Sequence, residues 1–196
     1  MNTFAEGFLG GYRLHSRLRS KAFSLGARRA FASFGKRSVI EVPVRLGGER
    51  RIAVGSDVYV GQGSWLQAIG AGDGVVIEIG DGTSIAGSCV ISAAVSVTLG
   101  AKVLLARNVY IADHAHRFSS PGVAVLDQGI DRLAPVLIGD GAWLGQNVVV
   151  GPGVTIGAGA VIGANAVVLE DVPERAVAVG APARVVRLLD AALVPA

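Results

Sequence analysis

The stretch that decides the fold runs from residue 138 to residue 168, IGDGAWLGQNVVVGPGVTIGAGAVIGANAVV. Its aliphatic anchors fall at Ile138, Leu144, Val150, Ile156, Ile162 and Val168, a period of six, and each of the first five is followed by glycine. Four positions after each anchor stands a second small or β-branched residue: Ala142, Val148, Val154, Ala160, Ala166 and Val172. An α-helix repeats near 3.6 residues and a strand alternates with period two, so neither carries this pattern. A coil with flat sides does. Each hexad supplies one short strand and one turn, and three hexads close a triangular coil of roughly eighteen residues. The glycine is expected to adopt a backbone conformation that a Cβ would hinder.

Working outward, the same phase runs back through Leu99, Leu105 and Ile111, through Ile79, Ile85 and Ile91, and through Val54, Val60 and Leu66. Fifteen anchors make about five coils. A single coil leaves its strands unpaired, and stacking both aligns the anchors into one core and pairs the backbones. The predicted architecture is therefore all-β. A parallel β-helix spans residues 51–172, with residues 112–135 extruded as a loop, between an N-terminal cap segment at 1–50 and a C-terminal cap and tail at 173–196. Pro173 and Pro182 help to break the repeat.

Composition agrees. With 196 residues, 51% of them hydrophobic, one domain with a substantial core is expected. The 28 glycines, twice the ~7% average, are explained by the hexads. No apolar run approaches the ~18 residues of a membrane span, and the N-terminus lacks the apolar core of a signal peptide, so a cytoplasmic protein is expected. The single cysteine, Cys89, excludes an internal disulfide and an all-thiolate zinc site, and reads as core filling.

The net charge of +3 hides an asymmetry: residues 1–37 carry eight Lys/Arg against Glu6 alone. Apolar residues at helical spacing (Phe4, Phe8, Tyr12, then Leu14, Leu18, Ala22, Leu25) alternate there with Arg13, Arg17, Arg19, Lys21, Arg28 and Arg29. One or two short amphipathic helices are predicted, weakened by Gly7, Gly10, Gly11 and Gly26 at roughly 1 kcal/mol each relative to Ala. Two readings of this segment stand: a cap closing the β-helix, or a surface that touches anionic lipid or a membrane-held partner. Nucleic acid is not expected as a partner, because no aromatic residues interleave with the charge in the way stacking on bases requires.

Chemistry is expected in the extruded loop. The anchor after Ile111 comes 27 positions later instead of six, and the excursion opens with Asp113, His114 and His116. Long loops on rigid scaffolds carry function, and imidazole titrates near neutral pH, which suits a general base.

The region Val97–Arg187 resembles the hexapeptide-repeat acyltransferases, in particular the maltose and galactoside acetyltransferase-like branch and the O-acetyltransferases of bacterial polysaccharide biosynthesis. The residues that carry the resemblance are Asp113-His114-Ala115-His116, Gln128-Gly129, Ala134-Pro135-Val136, Ile138-Gly139-Asp140 with Trp143-Leu144-Gly145, Gly153-Val154-Thr155-Ile156-Gly157, and Gly180-Ala181-Pro182-Ala183-Arg184. The resemblance implies a left-handed β-helix, a homotrimer with active sites between subunits, acetyl-CoA as co-substrate without a metal, and a saccharide acceptor. It assigns the base to His114, with His116 as runner-up and Trp143 flanking the site. Gly145, Gly163 and Ala164 are implied backbone contacts to the CoA arm, and Arg184 and Arg187 are implied partners for its phosphates. Two departures stand out. Glu170 replaces a basic residue common before the Asp-Val-Pro turn, and Ala86, Gly87 and Ser88 occupy the neighbourhood where the galactoside branch holds its sugar. Rival readings are acyl transfer to an amine of an amino sugar or a xenobiotic, a zinc hydratase on the same fold, and a non-catalytic assembly module. The three histidines, with His15 remote in the N-terminal segment, count against the zinc reading.

Overall fold

The computed structural model describes residues 3–189, with side chains from Ala5 onward; residues 1, 2 and 190–196, and the side chains of Thr3 and Phe4, lie outside it. The chain is a left-handed parallel β-helix of triangular cross-section. Its three walls are sheets of six, eight and six strands, parallel throughout except for the last strand, Arg184–Leu188. The anchors stack in register. Val54, Ile79, Leu99, Ile138 and Ile156 align on the first wall. Val60, Ile85, Leu105, Leu144 and Ile162 align on the second, and Leu66, Ile91, Ile111, Val150 and Val168 on the third. None is more than 2% exposed. Burial contributes roughly 1.5–3 kcal/mol per anchor, and the gain exists only when a neighbouring coil covers it.

The fifteen anchors form the five expected coils, and a further coil precedes them. Phe34, Ile40 and Leu46 pair with Val54, Val60 and Leu66. Residues 1–50, expected as a helical cap segment, therefore hold the helix and, in addition, one complete coil. Its hexad phase is faint in the sequence because the first anchor is aromatic and Ile40 is followed by Glu41 rather than glycine. The second inward position of each hexad fills the space between anchors. Cys89 takes one such place, fully buried, its thiol donating to the Ala106 carbonyl at 3.1 Å. Thr83 takes another and stays satisfied, donating to the Gly100 carbonyl at 2.7 Å and accepting from the Val103 N–H at 3.1 Å.

The glycine after the anchor serves the contact between coils and not a special φ. A Cβ at Gly139 would lie 2.5 Å from the Ala158 nitrogen, and one at Gly157 would lie 2.3 Å from the Glu174 nitrogen. The left-handed backbone falls two residues later, at Asp57, Lys102, Asn147 and Asn165 with φ of 58°, 56°, 61° and 62°.

All irregular spacing gathers at one edge of the prism, the corner between the third and first walls. The anchors there are eight apart from Leu46 to Val54 and from Ile91 to Leu99, thirteen from Leu66 to Ile79, and 27 from Ile111 to Ile138, against six from Val150 to Ile156.

One helix, α1 (Thr3–Ala27), forms where one or two short ones were expected. Its C-terminal half closes the base of the prism. Ser24 accepts from the Ile40 N–H at 2.9 Å and donates to the Ser20 carbonyl at 2.7 Å, and Phe23 and Ala27 pack on the core. At the other end Ala176–Val179 adds to the second wall and pairs with Arg184–Leu188 as a hairpin. Among the described residues no helix is long and apolar enough to cross a membrane.

Candidate active site

The excursion expected at residues 112–135 leaves the prism at the irregular corner from Asp113, since Ala112 still pairs with Ser92 in the third wall, and returns by a defined path. The Ala134 N–H donates to the Asp113 carbonyl at 2.9 Å and closes the base of the excursion. Ala115–His116 pairs antiparallel with Ile130–Asp131. The Gln128 side chain ties the tip, accepting from the Ser120 N–H at 3.0 Å and donating to the Ser120 and Val123 carbonyls at 3.2 and 2.8 Å. Such a loop holds its side chains on a rigid stem.

At the stem, Asp113 is fully buried and His114 has 10% of its side chain exposed. The preceding coil turns the same corner through Ala94, Val95 and Ser96, whose backbone N–H groups converge on Asp113. Oδ2 accepts from Ala94, Val95 and Ser96 at 3.0, 2.6 and 2.7 Å, and Oδ1 accepts from Ala94 at 2.8 Å. Three successive N–H groups form an anion-binding nest. Burial pushes the Asp113 carboxyl pKa up, but the donors from Ala94, His114, Val95 and Ser96 together outweigh it, and the pKa lies below its ordinary value. Asp113 is therefore an anion.

His114 Nδ1 lies 2.8 Å from Asp113 Oδ1. An ionised carboxylate only accepts, so Nδ1 carries the hydrogen and the lone pair resides on Nε2. The arrangement provides a basic nitrogen of fixed tautomer and orientation, held by a carboxylate that is itself held by the scaffold. His116, in the hairpin strand, is exposed and lacks such a partner among the described residues.

Trp143 stands apart from this dyad within the chain. It points outward from the second wall, 48% exposed, in register between Leu104 and Val161. Gly145, Gly163 and Ala164 do come together, at the corner between the second and third walls. The Gly145 N–H donates to the Ile162 carbonyl at 2.8 Å, and a Cβ on Gly145 would meet the Ala164 nitrogen at 2.7 Å. Gly163 is equally confined, its missing Cβ falling 2.7 Å from Val179 Cγ1. Both glycines thus have a packing reason. Arg184 pairs with Glu170 at 3.2 Å and Arg187 is exposed on the last strand, so the departure noted at Glu170 is a neutralising contact for Arg184.

Sequence reasoning missed two features. One is the Ala94–Ser96 nest, for which the eight-residue spacing from Ile91 to Leu99 was the available signal. The other is Asp131, on the hairpin strand opposite Ala115, whose buried Oδ1 has no hydrogen-bond partner among the described residues while Oδ2 lies 3.9 Å from Arg117 Nε. No motif surrounds it. Among the described residues no three His, Cys, Asp or Glu side chains gather as a metal-ligand set.

Comparison with known proteins agrees with this fold. A family model for the bacterial transferase hexapeptide, six repeats, matches residues 135–170. A protein named as a lipopolysaccharide biosynthesis O-acetyl transferase, WbbJ of Escherichia coli K12, is 35% identical over 156 residues, covering 76% of this chain and 78% of its own. A maltose O-acetyltransferase structure from Clostridium difficile 630 is 29% identical with a TM-score of 0.55, over 83% of this chain and 72% of that one. A hexapeptide-repeat acetyltransferase from Vibrio cholerae, complexed with acetyl coenzyme A, is 26% identical with a TM-score of 0.63, over 87% of this chain and 78% of that one. Fold and relatives together make the protein an acyltransferase. The chain belongs to the bacterial transferase hexapeptide family.

Proposed function

We propose that this protein transfers an acetyl group from acetyl-CoA to a hydroxyl of a saccharide, in the cytoplasm and in the course of surface-polysaccharide synthesis, with His114 as general base. The observation that carries the reading is the Asp113–His114 dyad, buried at the root of the excursion with Nδ1 committed to the carboxylate. The relatives' named activities support the donor and the acceptor class.

In this reading the acceptor hydroxyl oxygen attacks the thioester carbonyl carbon while His114 Nε2 takes its proton. The negative charge of Asp113 stabilises the imidazolium that forms. The tetrahedral intermediate collapses with cleavage of the carbon–sulfur bond. The proton passes from Nε2 to the departing sulfur, leaving an acetyl ester and the free thiol of CoA. Cys89, buried in the core, takes no part. Asp113, His116 and Trp143 are the supporting residues on the acceptor side. The backbone of Gly145, Gly163 and Ala164 and the side chains of Arg184 and Arg187 serve the CoA arm. The reading includes a homotrimer, in which a neighbouring subunit brings its second wall, with Trp143, to the dyad that one chain leaves apart.

The test is thiol release from acetyl-CoA by wild type and His114→Ala over a panel of oligosaccharides, amino sugars and nucleotide sugars, with CoA binding measured alongside. Release by wild type only, with CoA still bound by the variant, is the expected result. Equal release by both overturns the assignment of the base, and absence of CoA binding in either overturns the transferase reading.

A further inference from the structure

The N-terminal half of α1 has no place in this chemistry and no neighbour in the described chain. Every residue from Ala5 to His15 is exposed. Gly7, Gly10 and Gly11 lower its intrinsic helicity, and nothing lies within 4 Å of where their Cβ atoms would be. Helical propensity is a poor reason for such a segment to be helical, and most helices are held by an apolar surface against one face.

The flank of α1 beside its groove with the first coil offers an apolar stripe. Ser20 and Ser24 turn inward, 2% and 3% exposed, whereas Leu14, Leu18 and Leu25 are 58%, 57% and 64% exposed. At about 100° per residue Leu18 lies about 160° around the axis from Ser20, and the three leucines fall within an arc of about 40°. Phe8 and Tyr12, 69% and 65% exposed, add apolar area on the projecting half.

Cations border the stripe. Lys21, Leu25, Arg28, Phe34 and Lys36 line a groove of about 550 Å³ between α1 and the first coil. Arg37, also at its rim, is spent on a two-point contact with Asp57, but Lys21, Arg28 and Lys36 make no ion pair among the described residues. Glu6 is the sole acid of α1. An apolar strip flanked by unpaired cations is complementary to a surface with an apolar interior and an anionic face. A self-complementary contact of two such stripes would set like charges together.

We infer that α1 and the Lys21–Arg28–Lys36 groove dock this protein on the surface of an anionic lipid bilayer. Leu14, Leu18 and Leu25 enter the headgroup boundary, and the three cations meet lipid phosphates. The helix lies on the membrane and does not cross it. The inference stands whether or not the acceptor is a saccharide.

The test is cosedimentation of the full chain with vesicles of equimolar phosphatidylglycerol and phosphatidylcholine, and with vesicles of phosphatidylcholine alone. Wild type is expected to partition at least tenfold better onto the anionic vesicles, and to lose that preference in about 0.5 M NaCl, where exposed charges are screened. Lys21→Gln/Arg28→Gln/Lys36→Gln lowers partition on the order of a hundredfold. Leu14→Gln/Leu18→Gln/Leu25→Gln abolishes it, with an unchanged circular dichroism spectrum and unchanged thiol release showing that each variant is folded. Three results overturn the inference. Wild type binds neither vesicle, or the variants bind as wild type does, or the leucine variant changes the oligomeric mass by light scattering without changing vesicle partition, which makes a second copy of this chain the occupant.

Discussion

Asp113→Asn replaces one carboxylate oxygen by an amino group and leaves the volume nearly unchanged, so it separates electrostatics from packing. Oδ2 receives three backbone N–H groups, at 2.6, 2.7 and 3.0 Å. An amide nitrogen cannot accept them. The oxygen of Asn must therefore take the nest, and the NH2 turns to the position of Oδ1, 2.8 Å from His114 Nδ1. There it donates, so Nδ1 must become the acceptor and the hydrogen moves to Nε2. The proposed base is then blocked at Nε2, the ring nitrogen not engaged by residue 113. General-base catalysis contributes about 10²–10⁴-fold, or roughly 3–5.5 kcal/mol of the barrier. Expected for Asp113→Asn is a kcat lower by that factor with little change in the KM for acetyl-CoA, and the loss should persist across the pH profile. The two residues act as a unit, so Asp113→Asn/His114→Ala should be no slower than His114→Ala alone. Steady-state thiol release checks both statements. A kcat within threefold of wild type, or multiplicative losses in the double variant, would refute the tautomer reasoning.

Asp113 also makes stability depend on acid: its pKa is lower in the folded chain, so the stabilisation is complete above the ordinary carboxyl value of 3.8 and is lost as pH falls through the folded value. Denaturant unfolding from neutral pH downward should show this decline, and Asp113→Asn should flatten it. Gly139→Ala should destabilise by about 1–3 kcal/mol, because its Cβ would lie 2.5 Å from the Ala158 backbone. Gly10→Ala, with nothing within 4 Å, should leave the melting temperature unchanged or raise it slightly; thermal melts compare the two. Cys89 should resist thiol reagents at pH 8 in the native protein and react fully in denaturant, since burial raises its thiol pKa and encloses it.

The prism was legible because its signal is redundant: Ile138 through Val168 repeat one environment six times, and an error at any one hexad leaves the phase intact. The coil of Phe34, Ile40 and Leu46 escaped because it offers the phase once, through an aromatic residue. Within the site, Asp113 and His114 were legible as neighbours in sequence at the mouth of an excursion. The Ala94–Ser96 turn was not, because backbone N–H groups have no residue type. Asp131 was hidden by register, since only pairing with Ala115 across the excursion brings it beside the stem. Trp143 was read as flanking the site, but which wall it occupies relative to His114 follows from counting strands across the excursion.

The irregular corner explains why the proposed site sits where it does. A hexad turn of minimal length, as from Val150 to Ile156, has its N–H groups engaged with neighbouring coils: Gly151 donates to Val168 and Gly153 to Ala134. Two added residues between Ile91 and Leu99 free the Ala94, Val95 and Ser96 N–H groups from that ladder and point them at the next coil. The next coil supplies the long excursion, and its first charged residue is Asp113. A short insertion thus makes an anion site, and the adjoining long one delivers the anion and the histidine it orients. Buried donors without an acceptor cost about 1–3 kcal/mol each, so the turn and Asp113 depend on each other. The walls give the proposed site a rigid frame, and its geometry arises from the places where two consecutive coils depart from the period.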